Sequence, residues 1–436
     1  MTPFERSQRD GFALRPRSGD PLRALRESAF ARFAELGLPA SGDENWKYTS
    51  LAPLAQLPFA AARPGAASPD SLVRSLAAPG SLQLVFVDGH YRPELSSAAP
   101  ESGGAFIGSL RAALAERPRE VGRELARHAD FRRDSLTALN TAFLEDGAFI
   151  HLPADTFLAA PIHLFFVATG GGEATLSHPR NLIVAGARSR AAVIETYAGP
   201  ADATYFTNAV TEVVLGEGAQ IEHYKLQQEG ARAFHVGLLQ VTHGRDSRFS
   251  SHSLALGGAL ARNEVRALFS SEGGDCTLNG LYMGSGRQHL DNRTLIDHKS
   301  PRCTSRELYK GVLDGEAHGV FGGRVLVRED AQKTDARQIN KNLLLSDGAV
   351  IDTKPQLEIF ADDVKCAHGA AVGELDEDAL FYLRSRGLSP QTARSLLTYA
   401  FASELVDSIP VLPLRARVRD LVTSRLPDAG LLREVA

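Results

Sequence analysis

The period of the hydrophobic positions changes twice along the chain. Over residues 22–36 apolar side chains recur every three or four positions and stop at Gly37, which predicts an amphipathic helix. From about residue 147 short alternating segments separated by Gly, Asp or Asn replace the helical period, which returns after residue 373. The pattern predicts a helical N-terminal domain with a small strand element (1–146), an all-β core (147–374) and a helical C-terminal domain (375–436).

The N-terminal region carries further helix and strand signals. Residues 110–116 and 121–143 show two more helical patterns, and residues 82–89 alternate as a strand that ends in a turn. Residues 58–80 are rich in Pro, Ala, Gly and Ser, which predicts a loop. Trp46 is the only tryptophan, and we interpret it as an aromatic anchor that packs the N-terminal segment.

The central region predicts a fold built only from strands. Its predicted strands are residues 162–167, 181–184, 192–197, 210–215, 220–226, 250–256, 264–269, 277–283, 293–296, 324–327 and 343–345. More than two hundred residues without a helix signal exclude a doubly wound α/β fold but leave sandwich, propeller and β-solenoid open. The sequence has no Trp-Asp signature and no blade-length period, which argues against a propeller. The strands look very short and irregularly spaced, and coils of about 20 residues or more would suit a parallel β-helix. Its open ends need covering, and the flanking helices are expected to act as caps.

The C-terminal region predicts three amphipathic helices. Acidic residues 376–378 begin the first, whose apolar stripe contains Leu380 and Phe381, and Gly387 ends it. Ser389-Pro390 begins the second. The apolar face of this second helix contains Ala393, Leu396, Leu397, Ala400, Phe401 and Leu405. A last short helix follows over residues 414–426. These faces either pack within the chain or bind a partner subunit, and the residues alone leave both open.

Composition narrows the class of protein. The 436 residues are 43% hydrophobic and 23% charged, with a formal charge of -4, so no basic field for nucleic acid is predicted. No membrane-length apolar run and no signal-peptide core are visible. The three cysteines are odd in number and far apart, which argues against a disulfide framework and predicts a reducing cytoplasm.

Residues 355–369 contain the candidate chemistry. An alternating run over 357–359 predicts a half-buried strand, two aspartates mark a turn, and residues 364–368 alternate again. Residues two apart on a strand share a face, so Cys366 and His368 should project together, opposite Ala367. A thiol beside an imidazole is a ligand pair for a soft or borderline metal. The alternative is a small buried cysteine next to a hydrogen-bonded histidine.

Other motifs give weaker signals. No Walker A loop, dinucleotide fingerprint, Gly-x-Ser-x-Gly elbow or His-Glu-x-x-His motif occurs. The side chains that could be drawn as a metal cluster are His289, Asp291, His298 and Cys303, with His318 further on. Their spacing matches no standard site, so a hydrogen-bonded network in turns is favoured. The adjacent pair Asp362-Asp363 would suggest a polysaccharide-cleaving β-helix enzyme, but neighbours on a strand point to opposite faces.

Several long runs in the C-terminal half resemble the SufB/SufD family of iron-sulfur cluster assembly scaffold proteins. They are residues 289–298 (HLDNRTLIDH), 309–312 (YKGV), 330–335 (DAQKTD), 354–359 (KPQLEI), 362–369 (DDVKCAHG) and 378–387 (DALFYLRSRG). The runs at 45–49 (NWKYT) and 139–142 (LNTA) match more loosely. Within the family, residues 365–371 look like the SufD branch, although Ala367 replaces its usual serine and Ala371 stands near its usual threonine.

The resemblance implies a fold, partners and a site. The fold would be a right-handed parallel β-helix between N-terminal and C-terminal helical domains. The chain would be a non-catalytic scaffold that pairs with SufB through the β-helix ends and contacts the SufC ATPase through its C-terminal helices, with Leu396, Leu397, Phe401 and Leu405 as contact residues. Cys366 and His368 would lie near the SufB interface and hold iron or sulfide only transiently, with no stably bound cofactor.

Two other functions remain open on the sequence. One is a free-standing β-helix enzyme acting on carbohydrate, and the other is a structural partner of SufB without a role in metal binding. A homodimer of the isolated chain is also open. Neither nucleic acid nor a membrane is an expected partner.

Overall fold

The computed structural model describes residues 1–15, 19–62, 69–97, 104–170, 174–428 and 430. The α-helices are α1 (Pro3–Ala13), α2 (Arg23–Leu36), α3 (Ala52–Ala55), α4 (Asp70–Leu76), α5 (Leu110–Glu116), α6 (Pro118–Glu124), α7 (Ser135–Phe143), α8 (Glu377–Ser385), α9 (Pro390–Asp407) and α10 (Leu412–Thr423), with short 3-10 helices at Glu44–Trp46 and Pro93–Leu95.

The strands are β1 (Ala60–Ala61), β2 (Leu82–Val87), β3 (His90–Tyr91), β4 (Phe106–Ser109), β5 (Ala148–Leu152), β6 (Ile162–Val167), β7 (Thr175–Ser177), β8 (Arg180–Ala185), β9 (Arg190–Ala198), β10 (Tyr205–Leu215), β11 (Gln220–Gln228), β12 (Phe234–His243), β13 (Arg248–Ala255), β14 (Leu260–Phe269), β15 (Asp275–Gly284), β16 (His289–His298), β17 (Thr304–Leu313), β18 (His318–Val327), β19 (Asp335–Leu344), β20 (Val350–Ile359) and β21 (Lys365–Gly373).

The strands form a parallel β-helix of about eight coils. Successive strands alternate between two sheets, because each coil gives one strand to each. Sheet A runs in the order β20-β18-β16-β14-β12-β10-β8-β5-β4, and sheet B runs β21-β19-β17-β15-β13-β11-β9-β6-β2-β3. Only β3 and β4 pair antiparallel among the strands on these two paths, at the end opposite β20 and β21. The space between the two sheets, here called the lumen, is the main hydrophobic core.

The coils are more regular than the sequence pattern predicts. From β9 onward the strands are eight to eleven residues long, not very short. Register partners in sheet B between β9 and β21 are 27 to 31 residues apart in the chain, so the spacing is not irregular either. From β9 onward, two strands, β12 and β17, fall where no strand was predicted. Polar residues on the inner faces interrupt the apolar alternation that identifies a strand.

One corner of several coils repeats the same turn. Arg188, Asp246, Arg302 and Lys333 all have positive φ at the connection from sheet A to sheet B. A glycine begins several of these turns because the coils stack closely there. A Cβ on Gly244, for example, would lie 2.5 Å from the carbonyl oxygen of Leu215 in the preceding coil.

The helices cover the sides of the β-helix instead of capping its two ends as expected. Helices α1, α2 and α7 pack on the outer face of sheet A, in a cluster that contains Phe4, Phe33, Phe59, Phe206 and Phe234. Helix α4 packs on sheet B instead. Helices α9 and α10 pack on the outer face of sheet B, from β9 to β17. The helices pack on the sides because the outer faces of the middle coils carry large hydrophobic side chains that must be buried. The last coil therefore stays uncovered by the helices of the described residues.

Several N-terminal predictions are confirmed and others are corrected. Trp46 is a buried anchor, with the Arg262 guanidinium 4.1 Å above its ring. The helical pattern over 121–143 is two helices, α6 and α7, and not one. The Glu212 carboxylate accepts backbone N–H groups of Ala126, His128 and Ala129, which holds the intervening segment outside a helix. The predicted loop over 58–80 contains β1 and α4, and residues 63–68 lie outside the described residues.

No helix among the described residues is both long and apolar enough to cross a membrane.

Candidate functional site

The candidate site lies at the open end of the β-helix, formed by β20 and β21. Each of these strands is the last in its sheet and pairs with a single neighbour, β18 or β19. Residues of β21 are largely exposed, whereas the corresponding strands of inner coils are buried. The open end therefore presents two parallel strand edges and the mouth of the lumen.

Both sequence-predicted ligands project into this mouth. Cys366 and His368 are the register partners of Ala336 and Gln338 on β19. Those two residues are fully buried in the lumen, and partners in a parallel sheet point to the same face. The structure therefore places the thiol and the imidazole together on the inner face of the last strand, with Ala367 on the outer face.

The Cys366 thiol is half-buried and lies against an apolar cluster that includes Val325, Ala336 and Ala361. Burial raises the pKa of this thiol above its ordinary value, although the backbone N–H of Ala336 opposes the shift. The resting chain therefore holds Cys366 as a neutral thiol near neutral pH. A metal ion would have to displace its proton, which couples binding to proton release.

The His368 ring is exposed at the mouth of the lumen and makes no hydrogen bond to another described residue. No group of three or more His, Cys, Asp or Glu side chains is positioned to hold a metal ion in the part of the chain that the structure describes. One thiol and one imidazole are half of a tetrahedral ligand set. The arrangement can hold an ion firmly only if another molecule supplies further ligands.

The predicted partner-contact residues of α9 pack mostly on the chain itself. Leu405 is buried with Ile409 and Val418 against sheet B, and Leu396 and Phe401 lie half-buried against the same cluster. The Lys310 ammonium donates to the carbonyl of Phe401 at 2.7 Å and lies over its ring. Leu397 is half-buried outside this cluster. The α9 face therefore serves first to hold the C-terminal helices on the β-helix.

Helix α8 exposes Phe381, which the helical pattern assigned to its apolar face, and also Tyr382, which the pattern did not assign to it. Leu380 is buried, but Phe381 is 71% exposed and Tyr382 is 58% exposed. Its element contacts are chiefly with α9, so one side of the helix remains uncovered. Three consecutive apolar residues, 380 to 382, cannot all lie on one face of a helix. The sequence therefore contained a signal that part of this run would be exposed.

The histidines and acids of β16 and β18 form hydrogen bonds and no metal site. Asp291 accepts from Thr49 and Arg293 at 2.6 and 2.7 Å and also from Arg262, while the His289 ring lies 2.9 Å from the Thr49 hydroxyl. The favoured hydrogen-bonded network is confirmed, but it lies on strands and not in turns. It attaches the segment around Thr49 to sheet A.

The remaining candidates lie apart from one another. The His298 ring faces the lumen, 2.9 Å from the Ser305 hydroxyl, and Cys303 sits at a corner with its sulfur 3.4 Å from the Pro301 carbonyl. His318 pairs with Asp352 at 2.8 Å on the outer face of sheet A. Asp363 pairs with Lys333 at the bend before β21, so Asp362-Asp363 does not form facing carboxylates.

Comparisons with known proteins agree with the resemblance of the runs in the sequence. The family model for the SufBD core domain of the SUF iron-sulfur cluster assembly system matches residues 166–401, and the model for the SufBD protein N-terminal region matches residues 8–164. An iron-sulfur cluster assembly SufBD family protein of Synechocystis is 35% identical over 411 residues, which are 92% of this chain and 90% of the relative.

Two further relatives extend the comparison. The iron-sulfur cluster assembly protein SufD of Escherichia coli is 34% identical over 400 residues, covering 90% of each chain. A chloroplastic protein of Arabidopsis thaliana, named ABCI7, is 28% identical over 432 residues, covering 96% of this chain and 89% of the relative. The similarity therefore spans the β-helix and both helical regions.

Proposed function

The chain belongs to the SufB/SufD family of iron-sulfur cluster assembly proteins, and from this we propose that it is the SufD-type scaffold subunit of a SufBCD complex. In that complex it pairs with SufB, contacts the SufC ATPase and contributes ligands for iron or sulfide while a cluster is built. The iron and sulfide are cargo, so the chain keeps no resident cofactor.

The observation that carries this proposal is the position of Cys366 and His368. They project side by side from the last strand of an uncovered β-helix end. A thiolate and an imidazole suit iron, and two ligands leave the set to be completed by a second chain. SufB docked at the open end would supply the rest and cover the exposed strand edges.

Contacts around α9 support a route from the ATPase to the site. We assign residues 375–436 as the SufC-binding domain, 147–374 as the β-helix and 1–146 as the N-terminal domain. Lys310 of β17 is buried beneath α9 and pairs with Glu404 at 2.5 Å. SufC closure on ATP would pull the C-terminal helices, and the strain would reach β17, two strands from β21. The open end would then separate enough to admit iron and persulfide sulfur.

The test is the His368→Ala variant in a complex with SufB and SufC. The complex is assembled in the cytoplasm, where we expect the chain to act. The His368 ring is exposed and makes no hydrogen bond to a described residue, so the variant should fold and assemble normally. Cluster yield should fall about tenfold or more, because a ligand is lost. Ala367→Ser, on the opposite face of the same strand, is the matched control and should keep the wild-type yield.

A wild-type yield from His368→Ala would remove this site assignment. Recovery of SufB and SufC with the tagged chain from native extract tests the assignment to the complex separately. Loss of both partners from that pull-down would contradict the scaffold role.

A second candidate is a subunit that stabilises SufB and binds no metal. The apolar cluster around Cys366 favours it, since a half-buried neutral thiol also fits a purely structural role. Iron titration of the complex with and without Cys366 and His368 separates the two candidates. Equal iron uptake in both cases would favour the structural subunit.

A further inference from the structure

A column of polar side chains runs behind His368 into the lumen. Glu307 of β17, Gln338 of β19 and His368 of β21 are register partners in successive coils. Strands in a sheet are about 4.8 Å apart, so each side chain stacks directly on the next. Glu307 is 3% exposed and Gln338 is fully buried, whereas His368 is at the mouth. The column therefore connects a buried carboxyl group to the exposed imidazole.

The Gln338 amide is held in a single place. Its Nε2 donates to Oε2 of Glu307. From the opposite wall, Gly323 of β18 leaves just enough room, since a Cβ there would lie 2.3 Å from that Nε2. The Oε1 of Gln338 has no hydrogen-bond partner among the described residues. A buried acceptor without a partner costs about 1–3 kcal/mol, so a donor in the next coil would be favourable.

The protonation state of Glu307 determines which end of the Gln338 amide, the oxygen or the NH2 group, lacks a hydrogen-bond partner. A carboxylate can only accept hydrogen bonds, so ionised Glu307 requires the NH2 end of Gln338 and leaves its oxygen available. Burial raises the pKa of Glu307 to about 7, although the Gln338 hydrogen bond opposes the shift, so the ionised form is accessible near neutral pH. The other titratable groups beside it, Cys276 and Tyr309, stay neutral because burial raises the pKa of each.

We propose that the exposed His368 ring, which makes no hydrogen bond to another described residue, turns to donate one ring N–H to the unpartnered Oε1 of Gln338. Gln338, oriented by Glu307, would then hold the imidazole in one tautomer with its other nitrogen directed at the open end. Histidines that bind metals usually donate their second N–H to such an acceptor, which fixes the ring and raises its basicity. Gln338 and Glu307 are thus positioning residues for the ligand. The use of this contact for iron rests on the proposed function, but the contact itself does not.

The experiment reads the His368 tautomer in the metal-free, full-length chain at about pH 8, above the pKa of about 7 of Glu307, where that carboxyl group is ionised. Histidine labelled with ¹⁵N gives long-range ¹H–¹⁵N correlations that distinguish the two neutral tautomers, and His368→Ala identifies the signals. The wild type should show a single tautomer. Gln338→Met should give a mixture and weaken iron binding by the complex about 10- to 100-fold. Thr353→Val is the control, because it removes a hydroxyl at the same end of the lumen but lies outside the column and should change nothing.

A charge-swapped variant keeps the test valid if Gln338→Met folds poorly. In Glu307→Gln with Gln338→Glu the donor and acceptor exchange places, so the new carboxylate at 338 accepts from both neighbours. A single tautomer should persist, with the His368 N–H proton shifted downfield by the charged acceptor. Unchanged His368 signals in both Gln338→Met and the swapped variant would overturn the inference, whatever the iron result. If these signals move while His368→Ala still gives full cluster yield, the contact stands and the proposed function fails.

Discussion

Glu307 is a carboxyl group buried in the lumen, where burial raises its pKa from 4.5 to about 7. The folded protein therefore binds a proton at this site between about pH 5 and 7 that the unfolded chain has already released. The stabilisation that comes from this bound proton is fully present below the pKa of Glu307 in the unfolded chain, 4.5. It is lost as the pH rises through the pKa of Glu307 in the folded protein, about 7.

Glu307→Gln removes this pH dependence while keeping the shape of the side chain. The amide still offers an oxygen to Gln338, so the variant should match the wild type near pH 4. Its relative stability should then grow as the pH rises, by an amount on the order of 3 kcal/mol near pH 8, as each pKa unit corresponds to about 1.4 kcal/mol. Urea unfolding at the two pH values measures the difference. The exposed Glu316→Gln is the control, and an equal effect of Glu307→Gln at both pH values would contradict the burial argument.

At the candidate site, the local sequence predicted Cys366 and His368 but not the residues behind them in the lumen. Alternation alone placed Cys366 and His368 on one face, because a strand fixes side-chain direction within a few residues. The sequence does not indicate Gln338 and Glu307, because they align with His368 only through the register of coils about 30 residues apart. No pattern within a short window contains that register.

Among the elements, the predictions failed where tertiary contacts override local signals. The strand predicted at 293–296 is β16, ten residues long, since inward-facing Asn292 interrupts the apolar alternation. The helical period over 121–143 was real, but capture of three N–H groups by Glu212 breaks the helix. Most strands of the core were accessible from the sequence, while their order in the sheets and their ends depended on partners far along the chain.

The C-terminal helices divide into a part that is buried against the β-helix and a part that is exposed. Leu405 of α9 is buried against sheet B, so Leu405→Ala should lower the free energy of unfolding by about 2–5 kcal/mol. Phe381 of α8 is 71% exposed, so Phe381→Glu should leave the fold intact and weaken SufC binding if α8 forms part of that surface. Deletion of residues 388–436 would not distinguish a loss of stability from a loss of SufC binding, because it exposes the outer face of sheet B.

Thermal unfolding and SufC co-purification of the two variants separate these roles. We expect Leu405→Ala to melt earlier and Phe381→Glu to melt like the wild type but recover less SufC. Leu397→Glu, on the same helix as Leu405 but outside its cluster, extends the test to the predicted α9 contact. Full SufC recovery with both Phe381→Glu and Leu397→Glu would move the ATPase contact away from these helices.

The whole molecule is asymmetric along the β-helix axis. At one end, antiparallel strands β3 and β4 finish the two sheets, and at the other β20 and β21 leave parallel edges unpaired. Natural proteins usually protect such edges, so an uncovered one indicates a partner. Exposed apolar residues surround it, including Ile359, Phe360 and Val372. The sequence predicted open ends but not which end would remain open, because the packing of the helices on the sides decides it.

Charges at the open end should therefore block pairing without harming the fold. Ile359 and Val372 are 41% and 49% exposed, one at the end of each sheet, so Ile359→Lys with Val372→Lys should melt like the wild type. The two ammonium groups would be buried without partners in a complex, and co-elution with SufB should be lost. Any homodimer of the isolated chain that uses the same end should also dissociate, which size exclusion with light scattering detects. Phe157→Lys, at a 70% exposed site near the first coils, is the matched control. Retained pairing of the double variant with SufB would place the subunit interface elsewhere on the molecule.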